Sequence, residues 1–453
     1  MKDSGSHSQH SKLNSGSFAA RYNLAIVMFM VAIFLSLIFY LLPFSITGSK
    51  REIRKIYFAD NITPAHKEII EHFNQKYRGK IEVVAVDLPF SKFTTNERKE
   101  LIARALRNSN SRIDIFTVDQ IWVPRFAKWA EPLSRYFARR EIGRILPAAL
   151  STCYQEDILV GVPLHIDIGV LYYRKDLLQN LPNPAALERR LKSSMTWDDF
   201  IGLKKSAPSD YPFYVFQAEN YEGLTLHLME VCGESLSDFI SGNKIHLNNP
   251  SLIRACQLLV NLVNEASCSP AGVLGFNESA SYSYALAQDA LFLRGWPGLL
   301  REAADYPYGK EKADLLGIAA LPHLTGREPA SAFGGWNLMV SRHSHNKEEA
   351  VLFLKYVLSD EAQKTLYETA GFLPILKSIY ADSSYIAAHS HLSDFGSLLE
   401  RGIFRPAHPE YTKISNVLSY YIHRALERQI SPEEALSLSE KEINGKILAG
   451  HSD

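Results

Sequence analysis

Between Ile53 and Val118, short β-branched runs alternate with amphipathic stretches, and this alternation constrains the fold more than any other feature of the chain. Ile53–Phe58 reads as a strand. Thr63-Pro64 then reads as a helix start, because a threonine oxygen can accept a first-turn N–H and proline at the first helical position forfeits no bond. Ile69, Ile70, Phe73 and Tyr77 continue at helical spacing. Ile81–Val86 is a second strand, Glu97–Asn108 a second helix with Leu101, Ile102, Ala105 and Leu106 inward, and Ile113–Val118 a third strand. Strand, helix, strand, helix, strand predicts parallel pairing through helical crossovers. Open α/β sheets bind ligands outside the carboxyl ends of their strands. Asp119, next after Val118, is therefore a candidate acceptor for a ligand hydroxyl; it could equally cap a helix from Gln120, and the two roles are compatible.

A chain of 453 residues exceeds one ordinary hydrophobic core, so two or more lobes are expected. With 49 basic and 49 acidic residues there is no global field to attract nucleic acid, and none is expected as a partner. Leu24–Leu42 carries no charge. About 20 apolar residues cross a bilayer, whereas a secretory signal core usually holds about 7–15. Residues 24–44 are accordingly expected to form a transmembrane signal anchor behind a polar, disordered tail over 1–23. A cleaved signal peptide is the alternative, with Pro43–Ser49 a weak cleavage site. No cysteine precedes Cys153, so no anchor at a processed cysteine is expected. Lys2, Lys12 and Arg21 precede the segment and Lys50, Arg51, Arg54 and Lys55 follow it, so flanking charge does not decide orientation.

Farther along, Thr196-Trp-Asp-Asp-Phe200 is a capped helix start with carboxylates in the first turn. Ser251–Glu265 and Asn346–Leu358 are amphipathic helices, the latter with Asn346 as cap, and Gly317–Pro322 is a strand. Cys153, Cys232, Cys256 and Cys268 neither demand nor exclude disulfides, and buried free thiols are the plainer expectation. His165, His227 and His323 are scattered and no Cys-x-x-Cys occurs, so no metal is expected; no cofactor is either. The motifs of nucleotide and serine hydrolysis are missing from the sequence.

Eight blocks then occur in a telling order: Asp114–Asp119, Pro163–Leu177, Thr196–Phe200, Ala290–Pro297, Gly334–Val340, Lys347–Tyr356 with Gln363, Gly371–Pro374 and Arg405–Tyr411. Together they resemble the maltose-like extracellular solute-binding proteins of bacterial ABC sugar importers. The resemblance implies an α/β, two-lobe periplasmic-binding-protein fold of the class II type, with a hinge and an interlobe cleft, over residues 53–450. Lobe I would hold about 53–160 and a return segment of about 315–375, and lobe II about 165–310 and 376–447, with Pro163–Leu177 at the crossing. It also implies a monomer outside the cytoplasmic membrane that captures a small carbohydrate, hands it to ABC permease subunits and does no chemistry. One block departs from the family: Arg294-Gly-Trp-Pro297 stands where asparagine is usual, so the substrate does not transfer from any one member.

Sugars ask for carboxylates or amides on their hydroxyls and aromatic rings under their C–H faces. Trp296, between Gly295 and Pro297, suits a stacking platform, or else plugs the lobe interface. Trp336 follows Gly334-Gly335, where glycine lets the backbone approach a ligand, yet a tryptophan at a strand start could be core. Asp167, inside Ile166-Asp-Ile168, needs a partner and faces either the cleft or an arginine. On the resemblance, Arg405 would bind hydroxyls or close the lobes by ion pairing, and Glu219 and Tyr221 would line the second lobe. Three alternatives stay open: the same fold binding a polyamine or peptide, a membrane-anchored sensor, and a glycoside-active enzyme. The last needs two carboxylates about 5–9.5 Å apart, for which Asp119 and Asp167 are the available pair.

Overall fold

The structure is a computed structural model that describes residues 15–41, 53–89, 92–93, 95–108, 112–208 and 210–448. The chain divides into two units, Met1–Glu52 and Ile53–Asp453. In the first, α1 (Ser15–Leu41) begins well before the apolar run, so the tail expected to be disordered over 1–23 is helical from Ser15. Propagation costs little once a turn exists, and no proline interrupts Ser15–Asn23. Side chains are described over Tyr22–Ile38, and all are exposed. Among the described residues no helix is long and apolar enough to cross a membrane. The expected span therefore rests on the sequence, since Leu42, the cleavage site Pro43–Ser49 and Lys50 and Arg51 lie outside the described residues.

The second unit opens as its alternation predicts. β1 (Arg54–Asp60) pairs in parallel with β2 (Ile81–Asp87) and with β3 (Ile115–Asp119). Between them run α2 (Pro64–Lys76) and α3 (Thr95–Arg107). Thr63 caps α2 by accepting from the His66 amide, and the His66 ring accepts in return from the Thr63 amide. Ile56, Phe58, Ile69, Phe73 and Phe116 are wholly buried between these layers.

The crossing falls inside Pro163–Leu177. β4 (Val162–Ile168) belongs to the first sheet and β5 (Val170–Arg174) to the second, with Gly169 alone between them. The second sheet adds β6 (Tyr214–Val215), β7 (Phe292–Gly295) and β8 (Leu316–Ala319), in the order β8-β5-β7-β6. The strand read at 317–322 is β8, and it pairs with β5 from Leu316↔Arg174 to Ala319↔Leu171. Residues 315–319, expected in the return segment, thus lie with the second sheet. The chain rejoins the first sheet at β9 (Ser331–Val340), which runs antiparallel to β3 and β4, and β10 (Gly402–Ile403) pairs with β9 at the edge.

Helices that position the site are α4 (Glu222–Cys232), α5 (Pro250–Asn264), α6 (Glu278–Ala287), α7 (Leu299–Glu302), α8 (Lys347–Val357), α9 (Asp360–Ala370) and α10 (Tyr411–Leu426). Asn346 does not cap α8 with its side chain, which instead donates to the Lys55 carbonyl at 3.2 Å and ties the helix to β1.

Gly335 shows why β9 reads Gly-Gly-Trp. Its φ is +137°, and a Cβ there would come 2.6 Å from the His165 carbonyl oxygen of β4. The register between β9 and β4 shifts one residue later, between Trp336 and Asn337. The glycine thus allows two strands to approach at an irregularity. Gly335→Ala should cost about 2–3 kcal/mol from backbone strain and the clash, read as a lower urea midpoint.

Candidate functional site

Trp296 is held by the protein's own groups. Its amide donates to the Tyr282 hydroxyl and its carbonyl accepts from the Tyr172 hydroxyl, both at 2.9 Å. Its indole N–H points to Glu278 Oε1 at 3.5 Å. The Arg294 guanidinium lies over the ring, 4.1 Å from its centroid. The ring edge borders Gly334, where a Cβ would meet the indole at 3.2 Å and the Asp167 Cβ at 3.1 Å. Trp296 from the second sheet and Asp167 from the first are therefore neighbours, with the tryptophan half-buried.

Arg294 itself is fully buried. It donates from Nε and Nη2 to the two oxygens of Glu230, at 3.1 and 2.8 Å. His227 Nδ1 stands 3.3 Å from Glu230, and its Nε2 meets the Tyr214 hydroxyl at 3.0 Å. Burial would raise the Glu230 carboxyl, but the Arg294 guanidinium and His227 overcome it and hold the group at about 2. Burial lowers His227 below its ordinary value, against the pull of Glu230.

Asp167 stands 3.3 Å from His165 Nδ1, and the His165 ring stacks on Phe372 at 4.1 Å. Glu302, on α7, reaches solvent yet is crowded by protein; that desolvation, then Asp167, Asp305 and Glu278, raise its carboxyl above the ordinary value. Asp167 of the first sheet and Glu278 and Glu302 of helices α6 and α7 thus converge on the Trp296 loop. Beside it the two layers touch, where Gly371 (φ +72°) would set a Cβ 3.2 Å from the Gly298 Cα.

On the first sheet, Trp336 is half-buried, edge-on to Trp122 at 5.7 Å and 4.8 Å beneath the Arg98 guanidinium. Arg98 in turn pairs with Asp60 at 2.8 Å. Asp119 and Arg405, nominated separately, meet each other: Arg405 Nη2 and Nη1 donate to the Asp119 carboxylate at 2.6 and 3.3 Å. Asp119 also accepts from the Ile121 amide at 3.2 Å, the capping role. Arg405 further lies 3.6 Å from Glu222, at the start of α4, which accepts from the Tyr411 hydroxyl and from Ser415. This places Asp119 in an ion pair with Arg405.

Tyr221 precedes α4, and its hydroxyl is buried beside the Glu278 carboxylate. Burial, then the nearby Glu278, raises its phenol well above the ordinary value. Glu219 contributes its backbone: its amide donates to the Phe276 carbonyl at 3.2 Å and its carbonyl accepts from Tyr221 at 2.8 Å. Gly335 lends its close approach to β4.

Sequence reasoning missed Glu230, Arg294, Glu278, Tyr172 and Tyr282. The argument applied to Asp167 would have found two of them: Arg294 interrupts the apolar strand Phe292–Gly295, and Glu230 interrupts a helix buried from Gly223 to Cys232. A concavity of about 460 Å³ lies away from these residues, open on the face of α2 and β2 beside Lys67, Asn74 and Arg78. A cavity of about 100 Å³ borders the Trp296 loop, between Pro297, Arg301, Tyr367 and Gly371. All four cysteines are free and buried. Among the described residues no group of three or more His, Cys, Asp or Glu is placed to hold a metal.

Residues 59–364 match the family described as bacterial extracellular solute-binding protein. That is well over half of the chain, and the chain belongs to this family. A probable ABC transporter-binding protein of Deinococcus radiodurans is 28% identical over 364 residues, 77% of this chain and 83% of that one. The arabinooligosaccharide-binding protein of Bacillus subtilis is 22% identical over 405 residues, 84% of this chain and 88% of that one. Among solved structures, maltose-bound MalE3 of T. maritima is 27% identical with a TM-score of 0.75, over 86% of this chain and 99% of that one. The α/β fold is thus the two-lobed one of periplasmic binding proteins, and the protein is a solute-binding component of ABC transport, not an enzyme.

Proposed function

We propose that the solute is a carbohydrate, captured between the lobes at Trp296 and delivered to ABC permease subunits. The observation that carries this reading is the half-buried Trp296 ring, fixed at its backbone and backed by Arg294, with Asp167 and Glu278 beside it. A rigid ring offers the C–H face of a sugar a preorganised surface, and flanking carboxylates take its hydroxyls. The maltose bound to the MalE3 relative supports the same class.

Trp336, Glu219, Gly335 and the Asp119–Arg405 pair complete the proposed site and its frame. Lobe I would hold residues 53–168 and 331–375 with the edge strand Gly402–Ile403, and lobe II the rest to 448, with closure about Gly169, the Ala320–Ala330 connection and the connections that flank 376–401. The ligand would bind the closed form better and shift the population toward it. Leu24–Leu42 would anchor the monomer, with the binding domain outside the cytoplasmic membrane.

One observation favours a second reading. Asp167, Asp305 and Glu278 all add to the rise of the Glu302 carboxyl, and such a cluster also suits an amine-bearing ligand such as a polyamine. Thermal unfolding with maltose, an arabino-oligosaccharide, mannitol and spermidine separates the two. A ligand at 100 times its dissociation constant should stabilise by about 2.7 kcal/mol. Trp296→Ala should weaken binding of the active sugar by roughly 10–100-fold, from lost contact area and ring geometry. A shift with spermidine alone, or a sugar shift untouched by Trp296→Ala, would overturn the reading.

A further inference from the structure

The carboxylate of Glu230 sits beside two of the connections between the sheets, at Gly169 and at the start of β9. Its Oε1 accepts from the amide of Ala332, the second residue of β9, at 3.2 Å. A Cβ on Gly169, the single residue between β4 and β5, would overlap that same oxygen and stand 3.1 Å from Arg294 Nη2. The carboxylate therefore occupies the space that glycine leaves open at the first crossing while it holds the backbone of the second. Its other partner, Arg294, lies over the Trp296 ring. One buried ion pair thus touches these two connections and the proposed ligand platform.

We propose that Glu230 and Arg294 are positioning residues that set the Trp296 ring relative to the hinge, so that the platform's stance and the hinge geometry are one mechanical unit. This rests on the binding reading only for its consequence, and its geometry stands apart from it. A pair kept only to neutralise charge in the core could be met by any cation. Here the planar guanidinium does two jobs that an ammonium cannot share, forking onto both oxygens of Glu230 and presenting a flat face to an indole. Gln217 frames the same group, accepting from Arg294 Nη1 at 3.4 Å and donating to the Arg294 carbonyl at 3.0 Å.

Two variants of the full chain in detergent test this. Arg294→Lys keeps a cation for Glu230 and removes the planar face. Gly169→Ala keeps the Arg294 and Trp296 side chains but displaces Glu230 and crowds Arg294 Nη2 at 3.1 Å, shifting the guanidinium from the ring. The emission of Trp296 is isolated as the difference between each protein and its Trp296→Phe counterpart, without ligand. In both variants it should move to longer wavelength, and acrylamide quenching should rise about twofold as the ring loses its stacking partner. The sugar that stabilises the parent chain should bind Arg294→Lys roughly tenfold more weakly. Unchanged emission and quenching in either variant overturn the inference, whatever the sugars do. A parent chain that binds no sugar overturns the functional reading, and the ligand-free fluorescence still decides this one.

Discussion

Arg405→Met is expected to cost about 3 kcal/mol of stability at neutral pH, among the largest losses a single substitution in this chain should produce. Arg405 is buried between Asp119, at the end of β3, and Glu222, at the start of α4. It joins the first sheet to the helical layer of the second lobe. Methionine fills the space but leaves two carboxylates facing each other without a cation, and an uncompensated buried charge costs more than the pair contributes. Burial already raises Glu222 above the ordinary carboxylate value, with Arg405 pulling against it. Without Arg405 the folded value rises further, so the deficit should be full at pH 8 and shrink as acid protonates Glu222. Urea unfolding at several pH values measures this directly. A variant as stable as the parent at pH 8 would show that solvent already screens the pair.

The same residues show what the sequence could and could not convey. Local signals carried far: Thr63-Pro64 caps α2, Thr196 caps its helix by accepting from the Asp199 amide, and β1, β2 and β3 pair in parallel. Each depends on neighbours within a turn or on hydrophobic period, which a single sequence displays. Asp119 was nominated for its place at a strand end and Arg405 for a family block. Their bond joins positions 286 residues apart, and no local pattern encodes such a separation. The sheet that strand Leu316–Ala319 joins was illegible for a related reason, because its burial pattern suits either sheet and only pairing with β5 assigns it. Arg294 and Glu230 were legible in principle, as charges inside apolar elements, but that pattern says only that partners exist and not which ones. The backbone of Trp296 is held by tyrosine hydroxyls from β5 and α6, and among 22 tyrosines nothing in sequence marks those two.

Acid should unfold the chain along a slope that Glu230 helps to set. Its folded value, about 2, lies below that of an exposed glutamate, so its contribution is complete above the ordinary carboxylate range and is lost as pH falls toward 2. A depression of this size corresponds to about 3 kcal/mol, undiminished by solvent because the group is buried. The groups facing it are Arg294, which stays charged throughout, His227, and Tyr214 through His227. His227 is lowered by burial and must take a proton in the unfolded chain first, so its loss begins at higher pH, below the ordinary imidazole value. Asp60, held down by His66 and Arg98 against its burial, adds a second loss with the sign of Glu230. The contributions separate by variant. Glu230→Gln/Arg294→Met replaces the pair with uncharged groups of similar size, which a buried site often tolerates where a single change would not. Its stability at pH 7 should lie near that of the parent, and its acid slope should be shallower between the carboxylate range and pH 2, with the Asp60 component remaining. Guanidinium titrations from pH 7 to pH 2.5 give both numbers. An identical acid slope in parent and double variant would mean that Glu230 holds no such depressed value, and the electrostatic half of the platform would then have to be drawn again from Arg294 and the indole alone.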